Sequence, residues 1–121
     1  MTTSTDPEAV SRFAGRVFEA NCPSRVVLEH VTSKWGVLIL VSLENRTLRW
    51  SELQRAVQGV SDKMLAQTLR TLADDGFVHR ESRDVVPPYV EYSLTALGDD
   101  LVARLIPLME WIDERAAQII G

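Results

Sequence analysis

Lys63, Ala66, Gln67 and Arg70 stand at i, i+3, i+4 and i+7, so a helix through them would carry all four on one face. Lysine and arginine can donate to guanine O6 and N7, and glutamine can pair with adenine. Alanine is small enough to bring the backbone close or to meet a thymine methyl. The same face would equally serve as an ordinary solvated surface with two long basic side chains. Ser61, just ahead of these residues, joins the candidate DNA-binding set, as do Arg49, Arg80 and Arg83 as possible phosphate contacts. Each of these three arginines is as readily a plain surface charge, because phosphate contacts leave no signature in spacing.

Cys22 is the single cysteine. It precedes Pro23 at the start of an expected helix and has Arg25 three residues on. A helix N-terminus and a nearby cation both favour a thiolate, which makes Cys22 a redox-sensing candidate. The bland alternative is a small buried hydrophobe. His30 and His79 stand far apart, and with one cysteine they do not make a metal cluster, so no metal or other cofactor is expected. There is no glycine-rich phosphate loop and no supported Ser/His/Asp arrangement, so catalysis is not expected. Trp35, Trp50 and Trp111 read as core or interface anchors, with a tryptophan-lined effector pocket left open.

These side chains need elements to position them. The 121 residues, 45% apolar and 25% charged, suit one globular domain spanning 1–121. No apolar run approaches a membrane span and no secretory signal opens the chain, so a cytoplasmic protein without a membrane partner is expected. The net charge of −4 speaks against a nucleic-acid partner, but its distribution is uneven. Residues 45–83 hold seven basic and five acidic groups, and the flanking segments are both negative. The footprint is weakly basic at most.

Asp6-Pro7-Glu8 has the cap, proline and first-turn acid of a helix start, and Val10, Phe13, Ala14, Val17 and Phe18 follow at helical spacing (helix over 7–20). Pro23 opens a second helix. Ser33 caps a third, from Lys34 to about Leu43, apolar all round and hence central. Leu48-Arg49-Trp50 suits a short strand. Ser51 with Gln54 fits a capping box for a short helix through Val57. Gln58-Gly59-Val60 is a turn, and Ser61 caps a helix to Asp75 that Gly76 stops. Two helices joined by a short glycine-containing turn, over 51–75, outline a helix-turn-helix. Strands at Phe77–Arg83 and Tyr89–Thr95 around Pro87-Pro88 would form a hairpin, a wing over 77–95. A last helix over 96–120 contains Pro107, which should bend it. The fold class expected is mainly α with a small β-hairpin.

The order of elements and several strings resemble the HxlR family of bacterial winged helix-turn-helix regulators. These strings are Cys22-Pro23, Ser33-Lys34-Trp35, Trp50-Ser51-Glu52-Leu53 and Gly59-Val60-Ser61-Asp62-Lys63-Met64-Leu65. Asp75-Gly76 and the stretch from Val86-Pro87-Pro88 through Glu91-Tyr92-Ser93-Leu94-Thr95 to Gly98 complete the likeness. The resemblance implies a homodimer built through terminal helices, a recognition helix in the major groove of double-stranded DNA, and wings near the flanking backbone. It also implies that some members sense oxidants or electrophiles at the position of Cys22.

For the dimer, the last helix offers a leucine line (Leu97, Leu101, Leu105, Leu108, Ile112, Ala116, Ile119) and a second apolar line, Val102, Ile106 and Met109, with Trp111 nearby. The domain should cover one line and leave the second to an interface, with Phe13 and Phe18 as partners. The expected function is a DNA-binding regulator, a repressor on a palindromic operator, responding to an unknown small-molecule or redox effector. The alternatives are a winged-helix protein–protein module or a small-ligand-responsive regulator with a structural Cys22. The polar Lys63/Gln67/Arg70 face lacks the apolar anchors a protein-binding module would show.

Overall fold

The computed structural model describes residues 18–121, which fall into two units, 18–33 and 34–121. Asp6, Pro7 and Phe13, and with them nearly all of the expected first helix, lie outside the described residues. In the first unit, helix α1 (Pro23–Thr32) begins where Pro23 has no N–H to lose, with Cys22 as its N-cap residue.

The second unit opens with α2 (Lys34–Ser42). Ile39 and Leu40 of this helix and Leu43 just beyond it are among the most enclosed side chains, as the all-apolar run anticipated. β1 (Leu48–Arg49) leads directly into α3 (Trp50–Ala56), and a turn with Gly59 separates α3 from α4 (Asp62–Asp74). β2 (Val78–Arg83), β3 (Tyr89–Leu94) and α5 (Ala96–Ile120) follow. The element order agrees with the expected winged helix-turn-helix.

The wing is more than a hairpin. β1 pairs antiparallel with β3, Leu48 opposite Tyr92 and Arg49 opposite Glu91, giving a three-stranded sheet in the order β1-β3-β2. That pairing also moves the start of α3. Its N-cap is Arg49 rather than Ser51, and the Arg49 N–H donates to Glu52 Oε1 at 2.8 Å. Arginine has no side-chain acceptor, so only this half of a capping box operates. Gln54, expected in the box, instead donates its amide to the Asp62 carboxylate across the turn.

α4 is held from behind. Leu65, Leu69 and Leu72 are buried, and burying each contributes roughly 1.5–3 kcal/mol. Its ends are closed by local chemistry. Ser61 Oγ accepts from the Met64 N–H at 3.1 Å. At the other end Gly76, at φ +89, lets its own N–H reach Ala73 O and the Phe77 N–H reach Leu72 O, both at 3.0 Å. This is a Schellman stop.

The wing's base is tied to α5 through Thr95. Its hydroxyl accepts from the Gly98 N–H at 3.0 Å, capping α5, and donates to Gly76 O at 2.6 Å. Gly98 passes so close to the backbone that a Cβ there would sit 2.1 Å from Phe77 O. α5 runs on through Pro107 to Ile120.

Candidate nucleic-acid interface

The leucine stripe that seats α4 in the core decides what its other side presents. Lys63, Gln67 and Arg70 are all exposed, and Ala66 is half-buried beside them. Neither Lys63 nor Arg70 has an ion-pair partner among the described residues. Ser61 is exposed at the head of the helix, with one lone pair used by Met64 and its O–H available.

The sheet divides the remaining cations by strand alternation. Val78, Arg80 and Ser82 pair with Leu94, Tyr92 and Val90, and Val78 and Tyr92 are core residues, so this face looks toward the helices. Arg80 therefore opens on the same groove as Arg70, a space of about 370 Å³ also lined by Trp50, Ala66, Asp74 and Tyr92. Arg80 has no ion-pair partner among the described residues. The opposite face carries His79, Glu81 and Arg83 against Ser93, Glu91 and Tyr89. Arg49, opposite Glu91, lays its guanidinium over the Tyr89 ring at 3.7 Å from the centroid.

Arg83 is a different case from Arg80. It forms ion pairs with Glu91 across the strands and with Glu81 at 3.3 Å, and the hydrogen bond to Glu91 holds its guanidinium above the usual pKa. Sequence reasoning grouped Arg80 and Arg83 together. Their separation of three residues in a strand was enough to place them on opposite faces. Tyr89, as a platform for Arg49, was missed because β1 had no assigned partner.

Residues 30–119 match the family described as HxlR-like helix-turn-helix, about three quarters of the chain. The chain belongs to that family.

The chain is 51% identical over 107 residues to the uncharacterized HTH-type transcriptional regulator YtfH of Escherichia coli, covering 88% of this chain and 85% of that protein. Among solved structures it is similar to the proposed transcriptional regulator ytfH from Salmonella typhimurium. There the TM-score is 0.80 at 53% identity, over 85% of this chain and 92% of that one. It is also similar to a chain described as the redox regulator HypR in its oxidized form, with a TM-score of 0.71 at 34% identity, over 77% and 96% of the two chains. As an HxlR-like protein this chain is a DNA-binding transcriptional regulator of helix-turn-helix type, in a family of regulators rather than enzymes.

In this HxlR-like chain Cys22 is half-buried. Partial burial pushes the thiol up, but the N–H groups of Arg25 and Ser24 and the Ser24 hydroxyl outweigh it, and the net pKa lies below the usual thiol value. The Arg25 charge is not the cause, contrary to expectation. Its guanidinium is turned away, donating to Phe18 O at 2.9 Å and pairing with Glu29 at 3.4 Å. The helix N-terminus, the other expected cause, carries the effect without the cation.

The expected dimer face also needs correction. Val102 is 2% exposed and belongs to the core, and Ile106 and Met109 are half-buried. Gly98, Val102 and Leu105 are the buried positions of α5, so the helix meets the core along a line between the two apolar sets. What stays open is Leu97, Leu108, Trp111, Ile112, Ile119 and Ile120. Trp111 keeps its expected exposure, with the Arg115 guanidinium over its ring, and Phe18 is 74% exposed. Phe13 lies outside the described residues. No group of residues that could hold a metal ion occurs among the described residues, and no helix among them is long and apolar enough to cross a membrane.

Proposed function

We propose that this regulator binds specific double-stranded DNA as a two-fold homodimer and represses by occupying its operator. α4 enters the major groove with Lys63, Gln67 and Arg70 toward base edges, while Arg49 and Arg80 meet the backbone. The observation that carries this is the exposed Lys63–Gln67–Arg70 face, without ion pairs among the described residues, on a helix anchored from its other side. The exposed apolar stripe Leu108, Trp111, Ile112 and Ile119 on α5 supports a self-association surface. Response to oxidants through Cys22 belongs to the same proposal. It is supported by a partly accessible thiol of lowered pKa and by the likeness to a redox regulator. Peroxide would oxidise the thiolate to a sulfenic acid. With no second cysteine in the chain, any disulfide would join the partner copy's thiol or a small thiol.

The test is a pair of substitutions read on a duplex enriched from a random library by the wild-type protein. Arg70→Ala is expected to cost about 1–3 kcal/mol and to relax preference at one base position per half-site. Arg80→Ala is expected to weaken selected and unselected duplexes alike and to shallow the dependence on salt. Unchanged binding by Arg70→Ala would remove α4 as the reading element.

A further inference from the structure

The outer face of the wing gathers charges that the DNA-reading elements leave unused. Glu81 and Glu91 are register partners on β2 and β3, two carboxylates directly across from each other. Such a pair repels unless a cation lies between them. Arg83 is that cation, bonded to Glu91 through Nε and 3.3 Å from Glu81 through a terminal nitrogen. Glu81 also lies 3.3 Å from His79 Nε2. Asp84 follows at the strand end, exposed. One guanidinium therefore serves the two facing carboxylates, Asp84 adds a third negative charge at the strand end, and Arg49, stacked on Tyr89, brings the face no further than near neutrality. Arg80, on the other face of the same strand, has no such partner among the described residues.

Given a DNA backbone passing the wing, as in the function proposed above, we propose that Glu81 is an affinity-limiting residue. It engages a terminal nitrogen of Arg83 and sets a carboxylate beside it, which keeps that guanidinium from gripping a phosphate. A phosphate bound by Arg83 would have the Glu81 carboxylate within about 8 Å, inside the screening length at physiological salt. The pair with Glu81 is exposed and weak, so losing the Glu81 charge frees the terminal nitrogen of Arg83 for a phosphate. Glu91 then remains as the guanidinium's anchor across the strands. Glu81 is the lever rather than Glu91, because Glu91 is more enclosed, with its side chain 20% exposed between Arg49 and Arg83.

The experiment is an anisotropy titration of the full chain against two duplexes across a range of salt. One duplex is enriched from a random library by the wild-type protein, and the other is unselected. A backbone contact carries no sequence information, so Glu81→Gln should tighten both by a similar factor, about three- to tenfold at low salt. The slope of log K against log salt should steepen by about 0.9 per phosphate gained. Arg83→Ala combined with Glu81→Gln should lose that gain. Glu114→Gln removes the same charge on α5, where the side chain's one ion pair among the described residues is with Arg115, and should leave affinity unchanged. Binding by wild type with no tightening in Glu81→Gln overturns the role of Glu81. So does a gain that survives without Arg83, or an equal gain in Glu114→Gln. Wild type that binds neither duplex would instead overturn the DNA-binding reading.

Discussion

At the scale of single residues, partners rather than residue types decide which charges are available. Arg70 and Arg80 share one groove without ion pairs among the described residues, whereas Arg83, three positions from Arg80, is neutralised by Glu81 and Glu91. The type of each was plain in the sequence, and the alternation of a strand would have separated Arg80 from Arg83. What stayed hidden was the Glu91 partnership, which depends on the register between β2 and β3. Cys22 repeats the point. Its lowered pKa was anticipated from the helix N-terminus and the Arg25 guanidinium together, and only the first acts, since the guanidinium bonds Phe18 O and Glu29. Because the lowering comes from backbone N–H groups, Arg25→Ala should keep it. A lowered thiol pKa means more thiolate at a given pH. The rate of iodoacetamide alkylation should therefore rise with pH through a midpoint below that of free cysteine, in wild type and Arg25→Ala alike. A midpoint at or above the free value would leave Cys22 a structural residue. Mild peroxide should correspondingly weaken operator binding in wild type and not in Cys22→Ser.

At the scale of elements, the helices were legible because their caps and stripes are local. Ser61, Gly76 and Thr95 close α4 and α5 where the sequence placed them, and Leu65, Leu69 and Leu72 seat α4 as their spacing required. The start of α3 was displaced because a longer-range pairing wins there. Leu48 and Arg49 are drawn into the sheet by Tyr92 and Glu91, and the Glu52 carboxylate makes a charge-assisted bond to the Arg49 N–H. Long-range contact also decides the face of α5. Gly98 lies against the Phe77 backbone, fixing which side of the helix turns inward and sending Val102 into the core. Gly98→Ala should consequently lower stability by about 1–3 kcal/mol or more, since the backbone rather than a flexible side chain must move. Thermal unfolding should show the shift, and an unchanged midpoint would mean that α5 is not seated by this contact. A displaced α5 would disturb the base of the wing first, because Thr95 ties Gly76 to the Gly98 N–H.

At the scale of the whole molecule, the net charge of −4 and the DNA-binding assignment are reconciled by placement rather than by total. Lys63, Arg70 and Arg80, without ion pairs among the described residues, belong to α4 and the inner face of the wing, and the acidic surplus lies in residues 84–121. Such a protein gains little from non-specific attraction, and under the proposed function α4 would supply the missing affinity by reading sequence. The exposed apolar stripe on the C-terminal half of α5 suits a second copy, which would present two recognition helices to one duplex. Enrichment of duplexes from a random library by the wild-type chain tests both statements at once. The predicted result is a two-fold symmetric motif whose half-sites lie about one or two helical turns apart, with Arg70→Ala losing preference at one position in each half. An unenriched pool, or a motif that Arg70→Ala selects unchanged, would contradict the assignment of α4 as the DNA-reading helix.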